Sequence, residues 1–344
     1  MTHFVHLHTH THMSGFDGIG HAKDFAERAR EMGHTSIAFT EHGSIRGLFR
    51  ASQACDRAGL QLIPGCEFYF SDDASKKGLT AAEKAEFKER FGRDAKAKMK
   101  AEEQSRRSRA HVTVWALNDE GLRNLYRLSA WSWTSGFYYK PRIDLARLRQ
   151  YSEGLAVSTG CPGGIVPKAL RSGDFGLALQ RAEFLAETFG DRLYVEIMPH
   201  VPPGSEGVNQ KMIRLAQRFD SKIIATQDAH YPGREHASAQ EALLCIHTRQ
   251  KMNDPDRFRF HSRDYHLSSR DEIEEAFVRN QPEIPFDVIR RACDETLAFA
   301  ERCSAKVQTQ RAGRYLVAPP LPKSVRNYDE FLSNLCKLGV RDRF

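Results

Sequence analysis

HFVHLHTHTH, residues 3–12, is the stretch from which the fold is read. Phe4, Val5 and Leu7 give it the composition of a β-strand. His6, His8, His10 and His12 share one parity. If the strand continues through residue 12, successive side chains alternate across it, so these four imidazoles project to one side. Two of them in an H-x-H pair at a strand end lie close enough to chelate one cation, and neutral imidazole suits zinc, iron and manganese alike.

Working outward, six further β-rich runs follow, near 35–40, 61–70, 111–117, 154–159, 192–198 and 221–227. Helix-period stretches separate most of them. Ala22, Phe25, Ala26, Ala29 and Met32 form one apolar stripe with Gly33 as a stop, and 45–58, 120–132, 174–189 and 206–219 read similarly. Seven β-runs with intervening helices predict an α/β fold, a distorted seven-stranded TIM-like (β/α)7 barrel with a short C-terminal helical extension. An open doubly wound sheet is the other arrangement this order allows. The expected division is a domain over 1–285, with an insertion at 76–109, and a helical extension over 286–344 whose proline-rich part, 312–324, reads as a connector.

Bulk composition narrows the classes. The 344 residues are 40% hydrophobic and 28% charged, enough for one large domain and an appendage. Apolar runs are only strand-sized and no basic-then-apolar leader opens the chain, so a soluble, cytoplasmic protein with no membrane partner is expected. Seven cysteines without C-x-x-C spacing argue against a disulfide framework or a zinc knuckle. The net charge is +7, and the segment 76–109, with twelve Lys/Arg and six Asp/Glu, carries +6 of it. It reads as a solvated pair of surface helices or as a basic arm along a nucleic-acid path. Trp131, Trp133, Phe137, Tyr138 and Tyr139 read either as stacking platforms for a single strand or as core.

Further chemistry falls at or just past the ends of β-runs, where a barrel of this kind keeps its site. His42 follows TSIAFTE, Cys161 follows GLAVSTG, and Asp228 and His230 follow SKIIATQ. Asp17 sits in the loop after the first strand. Glu67 lies within QLIPGCEFYF, where a buried carboxylate is costly unless it meets a cation.

The segments FVHLHTHTHMSGFDG, IAFTEHGSIRG, LIPGCEFY, HVTVWALNDEGLRNLYRLS, VSTGCPGG and ATQDAHY resemble the successive motifs of the PHP (polymerase and histidinol phosphatase) domain. Over most of residues 3–310 they are most similar to the branch found at the N-terminus of bacterial replicative DNA polymerase III α subunits, through the GCE-Y, GLRNL and SGCPGG-like blocks. The family's nine metal positions fall on His8, His10, Asp17, His42, Glu67, His111, Cys161, Asp228 and His230, all ligand-competent. The resemblance implies three divalent ions (zinc, manganese or iron): one held by His8, His10, Glu67 and Asp228, one by Glu67, His111 and Cys161, and one by Asp17, His42 and His230. It also implies that the nine act catalytically through those ions. Where the family usually has Thr-Asp-His-Gly, this chain has Thr40, Glu41, His42 and Gly43, a longer carboxylate that alters a contact to a ligand. His6, His12, His200, His236, His247, His261 and His266 are expected to be structural, His6 and His12 alternatively as supports of the ligands.

What the resemblance implies in activity is a metal-dependent 3′→5′ exonuclease of the proofreading type. Its partners would be the 3′ end of single-stranded DNA and the remainder of a replicative polymerase. The alternatives are a phosphomonoesterase of the histidinol-phosphatase type and a non-catalytic, metal-stabilised polymerase scaffold. No polymerase aspartate constellation is seen in the chain, which reads as an N-terminal fragment or a separate PHP protein.

Overall fold

The computed structural model describes residues 3–15, 17–107, 109–200, 202–308, 320–322 and 324–343. Its sheet comprises β1 (Ser36–Phe39), β2 (Gln61–Phe70), β3 (Ala110–Ala116), β4 (Arg142–Ile143), β5 (Leu155–Ser158), β6 (Leu193–Ile197) and β7 (Lys222–Ala225). Neighbours run β1-β2-β3-β5-β6-β7, with the short β4 paired to the end of β2. The N-terminal segment closes the ring. His6 bridges Ile37 on one side and Thr9 bridges Ala229 beyond β7 on the other, both in parallel. The expected first strand is therefore a pair of bridges, and the expected α/β barrel is present as a curled, mixed sheet.

One departure from a wholly parallel (β/α)7 order matters. β3 runs antiparallel to both β2 and β5, with Tyr69 opposite His111 and Glu67 opposite Thr113. The segment between β2 and β3 holds a helical hairpin, α1 (Ala81–Phe91) and α2 (Ala95–Arg107), and returns the chain to the same end of the sheet. His111, which opens its strand, thus lies beside residues that close theirs. The hairpin is largely exposed, as a solvated helix pair is.

Side-chain alternation builds the interior. Val5, Leu7, Ala38, Ile63, Trp115, Ala156, Tyr194 and Ile224, from the N-terminal segment and β1, β2, β3, β5, β6 and β7, form one buried cluster. Phe299 and Ala300 join them from α3 (Phe286–Glu301), whose Phe299 ring meets Trp115 and Tyr194 edge-on at 5.0 and 4.8 Å. That helix consequently belongs to the compact unit, which extends to Val307, whereas the sequence placed the boundary at 285. The second unit, Gln308–Phe344, contains α4 (Tyr328–Arg343). Most of the proline-rich connector lies outside the described residues.

The shared parity of the four N-terminal histidines does not survive. The backbone bends at His8, and the Trp115 indole donates a hydrogen bond of 2.8 Å from within the barrel to the Leu7 carbonyl. A carbonyl turned inward cannot continue a regular ladder, so the period of two breaks there. His6 instead stacks on His34 at 5.4 Å with its Nε2 against the Ser268 carbonyl, while His12 packs against His21 at 4.3 Å. The aromatic group divides too: Trp131 packs against the core, while Trp133 and Phe137 stack on each other at the surface and Tyr139 is exposed.

Candidate metal centre

All nine predicted residues converge at the end of the barrel where β1, β2, β5 and β7 finish. Glu67 is the hub. Its Oε1 lies 2.9 Å from His111 Nδ1, 3.4 Å from His8 Nε2 and 3.3 Å from the Cys161 sulfur. Its Oε2 contacts His42 Nδ1 and lies 3.7 Å from His10 Nε2. Asp228 Oδ1 is 3.1 Å from His10 Nε2 and 3.4 Å from His8 Nε2, and Asp17 Oδ2 is 3.0 Å from His42 Nε2. The His230 ring lies 4.6 Å from that of His10. Asp228 takes a left-handed φ of 52°, which turns its side chain toward the histidines.

Among the described residues, three sets of potential ligand atoms lie within 4.8 Å of one another: His8, His10 and Asp228; His42, Glu67 and His111; and His10, His42 and His230. The first falls within one of the ligand sets the resemblance implied. In the others His42 is shared between Glu67 and His10, so the grouping differs from the expected partition.

The donor chemistry fits divalent cations. His8 Nε2, His10 Nε2, Asp17 Oδ1, His42 Nδ1, Glu67 Oε2 and Asp228 Oδ1 are buried and form no hydrogen bond of good geometry, five of them meeting only the ion-pair contacts above. Six such atoms aimed into one volume are expensive unless an ion satisfies them. The electrostatics point the same way. Burial opposes charge on His8, yet Asp228 and Glu196 outweigh it and hold its pKa well above 6.5; Asp17 and Glu67 do the same for His42. Burial also opposes charge on the carboxylates, but His42 draws Asp17 down to about 2, and His111 and His42 draw Glu67 well below 4.5. His10 falls to about 3 through burial and the neighbouring His42. Burial, then Glu67 and Asp228, raise the Cys161 thiol well above 9, so only an adjacent cation would make it a thiolate ligand.

A second layer of residues orients the first. Glu196 of β6, buried, accepts hydrogen bonds of 2.6 Å from His8 Nδ1, Ser158 Oγ and Thr226 Oγ1. With Nδ1 donating to Glu196, the neutral ring of His8 carries its lone pair on Nε2, facing Glu67 and Asp228. His10 Nδ1 lies 2.9 Å from Ser14 Oγ, which donates to Glu41 Oε2 at 2.5 Å; Glu41 also accepts from Thr11. The longer Glu41 side chain is what reaches Ser14 and Thr11. His230 Nδ1 contacts the Asp228 carbonyl at 2.6 Å. Sequence reading missed Glu196 although its signal resembles that of Glu67: an acidic residue inside an apolar run, YVEIM.

An α/β barrel whose mouth gathers imidazoles and carboxylates from most of its strands defines a class of metal-competent barrel proteins. Within that class the chain belongs to the PHP domain family, whose family model matches residues 6–200. It is similar to the DNA polymerase III subunit alpha of Treponema pallidum, 29% identical over 99% of this chain and 26% of the relative. The Campylobacter jejuni subunit is 30% identical over 100% and 28%, and that of Saccharopolyspora erythraea 32% identical over 87% and 24%. The chain therefore spans about a quarter of the length of these relatives. Among solved structures, it is similar to an amidohydrolase from Chromobacterium violaceum (TM-score 0.40, 14% identity, 70% of this chain and 96% of that one). It is also similar to a putative metal-dependent phosphoesterase from Bifidobacterium adolescentis (TM-score 0.37, 14% identity, 81% and 96%). No described helix is long and apolar enough to cross a membrane.

Proposed function

We propose that the chain is a metal-dependent phosphodiesterase that removes nucleotides from the 3′ end of single-stranded DNA, in the setting of a DNA polymerase III α-like protein. The observation that carries this reading is the set of six buried ligand atoms that form no hydrogen bond of good geometry and are directed into one volume at the barrel mouth. His8, His10, Asp17, His42, Glu67, His111, Cys161, Asp228 and His230 would hold three divalent ions of zinc, manganese or iron, with Glu67 shared between ions. Bound there, such ions lower the pKa of a water toward neutrality and neutralise phosphoryl charge. Glu196 keeps the His8 lone pair on Nε2, and Ser14 with Glu41 does so for His10. Hydrolysis of the terminal phosphodiester releases a nucleotide and leaves a 3′ hydroxyl on the shortened strand.

The test is digestion of an end-labelled single strand and of a mismatched primer with added manganese or zinc, comparing the parent chain with His8→Ala and Asp228→Asn. Each variant should lose more in rate than the about 10- to 100-fold that removal of a residue supporting a metal ligand costs. Variants that digest DNA as fast as the parent, or a parent that hydrolyses only phosphomonoesters, would overturn the proposal.

A further inference from the structure

Residues 257–263 read Arg-Phe-Arg-Phe-His-Ser-Arg, an alternation of guanidinium and aromatic side chains. The fold pins this segment to the strand end that carries Asp228 and His230. Tyr231 bridges His266, His230 N–H donates to the Tyr265 carbonyl at 2.7 Å, and the Tyr231 hydroxyl donates to the Arg263 carbonyl at 2.8 Å. Phe260 stands edge-on to His230 with ring centres 4.8 Å apart, and Phe258 meets Phe260 edge-on at 6.3 Å. A line of aromatic rings thus starts at the metal centre and runs outward. Phe258, at its far end, is 54% exposed and its ring is open to a ligand.

The arginines divide their work. Arg257 is held inward by Glu241 at 2.7 Å and the Met252 carbonyl at 3.0 Å, which fixes the segment. Arg259 and Arg263 are exposed, and neither forms an ion pair with a carboxylate among the described residues. Exposed rings interleaved with guanidinium groups suit a ligand that alternates planar bases with phosphates.

We propose that Arg257–Arg263 is a base-stacking rail that delivers single-stranded DNA to the metal centre, with Phe258 and Phe260 stacking successive bases near the 3′ end and Arg259 and Arg263 meeting the phosphates. The inference rests on the exonuclease reading above and names the surface by which that site takes its substrate. It places the strand at the loop after β7, and not along the basic hairpin of 76–109, for which a nucleic-acid path was one of two readings of the sequence.

Two measurements on the full chain test it. The first is binding of a fluorescent oligothymidylate in EDTA, read by anisotropy, which needs no hydrolysis. Phe258→Ala should weaken it roughly tenfold, the loss expected for one stacked base. Arg259→Gln should reduce the slope of log affinity against log salt by about 0.7, the value for one phosphate contact on a single strand. Phe175→Ala, at an equally exposed phenylalanine that opens the helix Phe175–Phe189, is the control and should bind as the parent does. The second is the ratio of kcat/KM for the oligonucleotide to kcat/KM for bis(p-nitrophenyl) phosphate, which should fall about tenfold in Phe258→Ala. A parent that hydrolyses neither substrate defeats the exonuclease reading while the binding assay still decides the rail. Parent-like binding by Phe258→Ala and Arg259→Gln, with melting temperatures unchanged, overturns the rail itself.

Discussion

Glu196 shows how much a single side chain outside the ligand set can govern. Its carboxylate accepts from His8, Ser158 and Thr226 together, so it ties a candidate ligand to two neighbouring strand ends. Glu196→Gln keeps the size but replaces one acceptor oxygen with an NH2 that must face a donor. Either His8 changes tautomer and turns its Nε2 into a donor, or the NH2 turns to Ser158, whose hydroxyl then accepts, and His8 loses the carboxylate charge that makes its ring a stronger ligand. Metal affinity measured by chelator competition should fall about 10- to 100-fold, with the far-ultraviolet circular dichroism spectrum retained. Parent-like affinity would show that Glu196 does not set the tautomer. Glu67 was legible in the sequence because a carboxylate between apolar neighbours is costly to bury, whereas the identical argument for Glu196 was masked by the absence of a family ligand at that position.

At the scale of elements, the helical hairpin and β4 depend on one buried cation. The Arg142 guanidinium is fully buried and donates to the carbonyls of Gly136, Arg106, Ala74 and Lys76, at 2.8–3.1 Å. It therefore ties the foot of the hairpin to the end of β2. Burial pulls its pKa down from 12.5, yet an arginine stays charged at any physiological pH. Arg142→Met fills similar space but strands these carbonyls, and should cost at least about 3 kcal/mol in urea unfolding. Arg106→Ala acts more locally. Arg106 reaches Glu102 at 2.8 Å and Glu83 at 2.5 Å, across the two helices. Its loss should speed proteolytic cleavage within 81–107 and leave chelator-measured metal affinity as in the parent. Unchanged cleavage would mean that the pairing contributes nothing to the hairpin.

Over the whole molecule, buried imidazoles make stability sensitive to acid. Burial and the nearby positive charges of His3 and Arg28 bring His34 to about 4; burial and His261 bring His200 to about 4. Both titrate near 6.5 when unfolded. The unfolded chain thus binds more protons between these values, and the stability these groups permit is complete above 6.5 and lost as pH falls toward 4. Each should cost on the order of 1–2 kcal/mol near pH 5 in the chelated protein, and His34→Phe should flatten the decline in urea midpoint. A midpoint independent of pH over this range would contradict the assignment. Order and composition along the chain determined the α/β class and the positions of six of the seven strands, because period and residue type are local properties, while the resemblance to the PHP domain supplied the nine candidate ligands. Only the tertiary structure decided which way β3 runs, where the compact unit ends and which histidines face together. Those depend on contacts distant in sequence: the hairpin that returns His111 beside Glu67, the Phe299 ring that seals the barrel interior, and the Trp115 indole that breaks the first strand so that His8 faces the centre while His6 stacks on His34.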